Sequence, residues 1–258
     1  MITRLKGVIL AGGTGSRLMP LTKSVNKHLL PVGGKPMLQH CVEKVRCMGI
    51  EEIMIVTGGE HLGGIAEFLG GGDEYGCEFH YRVQDKPGGI AQALWLARSF
   101  VGKEHNVFVL LGDNIFEDGT EQMRSAYERA CAASVGNQAM IVLKEVDDPQ
   151  RFGVATVNQK GGWRVTGIVE KPRRPKSNLA VTGLYFYDSA VFDVIKTLKP
   201  SGRGELEITD VNNEYIRWGA MACHVMKGWW TDAGTHESYR KANSLAGALD
   251  VQPLRKSQ

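Results

Sequence analysis

Residues 7–18 read GVILAGGTGSRL. An uncharged run of five residues leads straight into Gly12, Gly13 and Gly15, and Arg17 follows almost at once. A short, fully apolar run is the mark of a strand buried on both faces, as in a parallel sheet. Glycines after such a strand let the backbone come close to a ligand, with successive N–H groups free to point at phosphate oxygens. The stretch therefore predicts a buried strand and an anion-binding loop, with a cation beside it. Glycines alone serve a plain strand-to-helix turn equally well, so the surrounding residues have to decide. Two common phosphate loops do not fit. Gly13 and Gly15 open a dinucleotide fingerprint, but Leu18 stands where its third glycine or alanine belongs, and the G-K-[ST] ending of a P-loop is absent. Arg17 and Lys27 instead suit a ligand with several negative charges, such as a triphosphate.

Downstream, Pro36 opens a helical pattern of Leu38, Cys41, Val42, Val45 and Met48, which Gly49 stops. Residues 52–57 (EIMIVT) read as a second apolar strand, 61–69 as a helix and 77–83 as a third strand. Ile90, Leu94, Ala97 and Val101 mark one face of a further helix, and 106–111 (NVFVLL) is a strand ending at Gly112, Asp113 and Asn114. Strands that alternate with helices predict crossover units and a mostly parallel sheet, with ligands beyond the carboxyl ends of the strands. The second half changes character. Residues 154–157, 164–169 and 180–187 read as strands separated by short turns, one of them at Gly161-Gly162, and Ile208, Val211, Tyr215 and Trp218 mark a late helix. The expectation is an α/β fold: a mostly parallel, Rossmann-like open sheet flanked by helices, with additional antiparallel strands. One domain over 1–245, followed by a polar tail at 246–258, accounts for the length.

Composition excludes several classes. The chain has 258 residues, 43% hydrophobic and 23% charged, which are ordinary globular values and not those of a disordered or collagen-like chain. Lys and Arg number 31 against 28 Asp and Glu, so the net charge of +3 gives no reason to expect nucleic acid or a membrane surface as partner. The five cysteines show no C-x-x-C spacing and predict reduced thiols in the cytoplasm. No H-E-x-x-H or G-x-S-x-G motif is present, and His28, beside Lys27, reads as a packing or solvated residue. Asp113 at a strand end and Asp232 among aromatics and glycine are candidate carboxylates for a magnesium ion, though each residue type serves equally as a turn former or helix cap.

The motifs then converge. Residues 12–18 and Lys27-His28-Leu29-Leu30-Pro31-Val32 resemble the signature of the sugar-1-phosphate nucleotidylyltransferases. QDKPGGIAQAL (84–94), LGDN (111–114), RFGV (151–154), EKP (170–172), VTGLYFY (181–187), GELEITD (204–210) and WTDAGT (230–235) follow in that family's order. Within it the chain looks most like the short members that join dTTP to glucose 1-phosphate, the first step toward dTDP-rhamnose-type deoxysugars. The resemblance implies a nucleotide-binding half (1–115) and a sugar-phosphate and metal half (116–245), the antiparallel strands forming a sugar-binding lobe. It implies catalytic roles for Arg17, Lys27 and Lys171, and nucleotide contacts by Gly12, Gly13, Thr14, Gly15, Gln84, Gly89 and Asp113. Asn114, Gly153, Glu170, Lys171, Thr182, Tyr185 and Trp230 match its sugar-phosphate site. Asp113 and Asp232 match its Mg2+ ligands, and a homotetramer is the expected assembly. UTP or another hexose phosphate is the alternative within the class. A non-catalytic nucleotide-sugar sensor and a nicotinamide-dependent oxidoreductase are the alternatives outside it. Two features depart from the pattern: Leu179 stands where tyrosine is expected, and the extra C-terminal helices that form a regulatory site in longer members are not expected here.

Overall fold

β1 (Leu5–Ala11) is sealed on both sides: Val8 and Leu10 face one core layer, Ile9 and Ala11 the other. Side chains alternate across a strand, so one apolar run feeds two layers. The computed structural model describes residues 4–117, 119–134, 136–158 and 163–247. After β1 come a small hairpin, β2 (Pro31–Val32) and β3 (Lys35–Pro36), then α1 (Met37–Cys47), β4 (Glu52–Thr57), α2 (Leu62–Leu69) and β5 (Glu78–Val83). Two short helices follow, α3 (Ile90–Trp95) and α4 (Arg98–Val101), and then β6 (Asn106–Leu111), β7 (Asn114–Phe116), α5 (Thr120–Ala133) and β8 (Ala139–Glu145). The remainder is β9 (Gly153–Asn158), β10 (Arg164–Glu170), β11 (Leu179–Tyr187), α6 (Val191–Thr197), α7 (Ile208–Arg217), β12 (Met221–Val225), β13 (Trp230–Asp232) and α8 (His236–Gly247).

The main sheet runs β10-β9-β11-β6-β1-β4-β5, and β8 and β12 branch from β11. β1 pairs in parallel with β4 on one side and β6 on the other. The chain leaves β1 in both directions, which opens a crevice beyond the carboxyl ends of these strands. β11 is antiparallel to both β6 and β8. Where β6 has ended, β9 takes over the same edge of β11 at Ala180. The ladder to β8 breaks between Val181 and Tyr185, so Thr182 and Gly183 lie in an interrupted stretch facing the crevice. Helices α3, α6 and α7 cover one face of the sheet, and α1, α2 and α5 the other.

The expected strands and their order are present. The helix expected over 90–101 is two pieces with a turn at residues 96 and 97, although Leu94, Ala97 and Val101 keep to one buried face. Helices α5, α6 and α8 and strands β8 and β12 had no counterpart in the sequence reading. Of the tail expected at 246–258, residues 246 and 247 belong to α8, and Ala246 is buried against Gly33 in a cluster with Leu18, Val32 and Ala242. Residues 248–258, and the turn expected at Gly161-Gly162, lie outside the described residues. Among the described residues no helix is long and apolar enough to cross a membrane.

Candidate active site

Two recesses open on the crevice and meet at Arg17, Leu111, Asp113 and Glu205. The first, about 340 Å³, is floored by the end of β1. Its glycines have separate reasons. A Cβ on Gly12 would lie 2.5 Å from Gln84 Oε1, and one on Gly13 would lie 3.1 Å from Lys27 Cε, so both side chains reach in only because no Cβ is there. Gly15 takes φ +68 and turns the chain, its carbonyl accepting from Leu18 N–H and the Thr22 hydroxyl, each at 2.8 Å. Thr14 is exposed, and neither it nor Gly15 lines the recess. The opposite wall carries Gln84, Pro87 and Gly89, with Ile90 and Ala93 beside them.

Asp113 sits between the two recesses. Lys27 Nζ donates to its Oδ2 at 2.6 Å and Asn114 Nδ2 to its Oδ1 at 3.0 Å. Burial favours the protonated acid, but the Lys27 charge and these hydrogen bonds outweigh it, holding the carboxyl well below the usual range. His28 is 1% exposed, and burial, then the Lys27 charge, lowers its pKa to about 3. It is a neutral packing residue whose Nδ1 meets Asn26 Oδ1 at 2.7 Å. Asp232 comes from β13, which pairs with β7 and so places Asp232 opposite Asn114. Burial, then the Asp113 charge, pushes its pKa up to about 6, and Arg151, at 3.3 Å from Oδ1, opposes the shift. A Cβ on Gly234 would lie 3.4 Å from Asp113 Oδ2, 3.5 Å from Asp232 Oδ2 and 3.2 Å from Arg17 Nη2. Two carboxylate oxygens and a guanidinium thus converge on a cradle kept open by a glycine.

The second recess, about 380 Å³, holds Gly153, Glu170, Lys171, Thr182, Tyr185 and Trp230. Glu170 Oε2 accepts from the Thr209 hydroxyl at 2.8 Å, and Lys171 Nζ lies 3.7 Å from Glu170 Oε1. Lys171 is the one non-glycine among the described residues with a positive φ, at +43. Its backbone N–H is held by Phe152 O at 3.0 Å. Such backbone costs about 1–3 kcal/mol and persists where the surroundings impose it, often at sites of function. Thr182 and Asn114 line the same recess and also bond the protein around them. The Thr182 hydroxyl donates to Val142 O at 2.8 Å. Asn114 Oδ1 accepts from Gly183 N–H at 2.9 Å and Trp230 Nε1–H at 2.7 Å. Asn114 is 3% exposed and ties β7, β11 and β13 together. The Thr182 hydroxyl keeps its acceptor lone pairs and Asn114 Nδ2 its second hydrogen. The sequence reading missed two cations on the rim. Arg151 bridges Asp148 and Asp232, and Arg203 pairs with Glu207 at 2.8 Å. Their only signal was position, within RFGV and directly before GELEITD. A larger hollow behind Arg151 and Trp230, about 720 Å³, is lined by charges of both signs and receives none of the loop or EKP residues.

This arrangement presents cations and a pair of carboxylates where two recesses meet. The sequence matches the nucleotidyl transferase family over residues 6–247. The chain belongs to the nucleotidyl transferase family. Among relatives of this nucleotidyl transferase, the glucose-1-phosphate thymidylyltransferase of Neisseria meningitidis serogroup A is 42% identical over 253 residues, covering 97% of this chain and 85% of that one. A solved structure from Bacillus anthracis, described as a candidate glucose-1-phosphate thymidylyltransferase in complex with sucrose, is 53% identical with a TM-score of 0.87, covering 94% of this chain and 95% of its own. A UDP-glucose pyrophosphorylase solved with UDP-glucose is 26% identical with a TM-score of 0.82, covering 95% and 98%. The mixed α/β architecture of this nucleotidyl transferase is the one these structures share.

Proposed function

We propose that the chain joins dTTP to glucose 1-phosphate, forming dTDP-glucose and pyrophosphate. One observation carries the reading: the Gly12–Gln84 recess and the Glu170–Lys171 recess meet at Asp113 and Arg17, so two phosphorylated ligands bound in them come together there. An oxygen of the sugar phosphate attacks the α-phosphorus, the bond to the bridging oxygen breaks, and pyrophosphate leaves with the electron pair. A phosphate monoester has its second pKa at about 6, so the attacking oxygen is largely ionised at neutral pH and no residue has to take a proton. Catalysis then rests on position and charge. Lys27 faces the nucleotide phosphates, Arg17 the departing pyrophosphate, and Lys171 and Arg203 the sugar phosphate. Glu170 accepts from sugar hydroxyls.

The open cradle at Gly234 suits a small hard cation. Asp113 and Asp232 supply oxygen donors there, and magnesium commonly takes one or two carboxylates with phosphates and waters completing its shell. Among the described residues no three His, Cys, Asp or Glu side chains form a closed metal site. Bound by Asp113 and Asp232, Mg2+ supplies positive charge to the phosphate oxygens. A cytoplasmic location, in keeping with five cysteines outside any disulfide, and a homotetramer belong to the same proposal. UTP is the second reading, favoured by the structural likeness to a UDP-glucose pyrophosphorylase. Thymine differs from uracil by one methyl group, which is worth about 1–3 kcal/mol in a pocket.

Pyrophosphate release across a panel of nucleotides and sugar phosphates tests the proposal. The dTTP and glucose 1-phosphate pair should turn over fastest, chelation should stop it, and Lys171→Ala or Asp113→Asn should each slow it by roughly 10²–10³. Synthesis from no pairing at all would overturn the reaction. Full synthesis after chelation would overturn the metal.

A further inference from the structure

Gln92 stands in QDKPGGIAQAL but has no place in the mechanism above. It lies in α3, one turn beyond Gly89, and is half-buried. Its Oε1 accepts a hydrogen from Gln84 Nε2 at 2.6 Å. The other Nε2 hydrogen points toward Gly89 O at 3.4 Å. A backbone carbonyl only accepts, so it sets which end of the Gln84 carboxamide faces α3, and Gln92 completes the grip. The opposite end, Oε1, projects beside Gly12, where a Cβ would come within 2.5 Å of it.

The platform that grips Gln84 is itself held. Leu206 N–H donates to Gly88 O at 2.8 Å and Ala91 N–H to Leu206 O at 3.2 Å, clasping the start of α3 to the GELEITD segment. Gly89 takes φ +95, and a Cβ there would lie 2.5 Å from Leu206 O. The Gln92 stem lies on Gly88, where a Cβ would be 2.9 Å from its Cγ. At the other end, Gln84 N–H donates to Thr57 O at 2.8 Å, anchoring the residue just beyond β5.

We propose that Gln92 is a positioning residue for base selection: it fixes the Gln84 carboxamide so that an acceptor, not a donor, meets the nucleotide base. The Nε2 hydrogens of Gln84 face Gln92 Oε1 and Gly89 O, which leaves Oε1 to bond the ligand. An acceptor there suits the N3–H of thymine or uracil. It opposes the bare N3 lone pair of cytosine, a ring of the same size. Size therefore does not separate the two pyrimidines, and the orientation of a single amide does. The inference rests on the reading that the first recess holds a pyrimidine nucleotide.

The test measures kcat/KM for dTTP and dCTP with glucose 1-phosphate, and calorimetric Kd for both, on the full chain. Gln92→Met keeps the stem and accepts nothing; it should lower the dTTP-over-dCTP ratio by about tenfold, mainly through KM for dTTP. Gln92→Glu accepts through either oxygen and should hold the ratio near that of the unmodified chain, whatever its added charge does to both nucleotides alike. Gln84→Leu should collapse the ratio. An unchanged ratio in Gln92→Met, or an equal loss in Gln92→Glu, overturns the proposal while a collapsed Gln84→Leu keeps the base reading intact. An unchanged ratio in Gln84→Leu overturns both.

Discussion

Asp232 shows how much a single residue gives up for its position. Its pKa of about 6 stands above the ordinary 3.8 because burial and the neighbouring Asp113 charge disfavour ionisation. The folded chain therefore holds this proton more tightly than the unfolded one. The associated stability is fully present below pH 3.8 and is lost as pH rises through about 6. Asp232→Asn has nothing to titrate. Its stability relative to the unmodified chain should rise by roughly 2–3 kcal/mol across that window, read from urea unfolding at several pH values, while synthesis falls. A difference that stays flat with pH would show that the folded chain does not hold this proton more tightly than the unfolded one. Residue types alone made Asp113 and Asp232 candidates without linking them. Resemblance paired them, and in the structure one oxygen of each lies within 3.5 Å of where a Gly234 Cβ would stand. Lys171 carries a further signal that no sequence pattern prints, a left-handed backbone at a lysine. Of the two readings of His28, packing or solvated, burial selects packing, with a pKa far too low for it to carry charge at neutral pH.

At the scale of elements, Asn114 joins three strands that are distant in sequence. Asn114→Leu would strand the Gly183 N–H and the Trp230 indole N–H in a buried setting, at about 1–3 kcal/mol each. Denaturation should show a loss of at least about 2 kcal/mol, and activity should fall because Asp113 and Trp230 lose their common brace. The central strands were legible, since β4 and β6 are largely apolar runs bounded by turn residues. What escaped notice was built from weaker patterns. The buried face of α8 is Ser238, Ala242 and Ala246, residues too small to mark a hydrophobic period. β12 is MACHV, with one β-branched residue in five. The break between α3 and α4 leaves Leu94, Ala97 and Val101 on one buried face, so the periodicity that suggested a single helix survives its interruption.

For the molecule as a whole, the two recesses demand that both substrates be present together. Double-reciprocal plots for dTTP and glucose 1-phosphate should intersect, and no nucleotide should remain covalently attached to the chain. Parallel plots would point to a covalent intermediate and against direct displacement. Substrate attraction is local, because a net charge of +3 is small while Arg17, Arg151, Lys171 and Arg203 all stand on one recess. Sequence by itself determined the alternation of strand and helix, the glycine loop after β1 and the side of the sheet on which ligands sit, because these follow from local hydrophobic period and backbone freedom. Only the tertiary structure decided that Asp232 faces Asp113, that Asn114 is spent as a brace and that Gln92 grips Gln84. Those contacts join residues brought together by sheet pairing and helix packing, and no local pattern in a chain encodes which distant partner will be within hydrogen-bond reach.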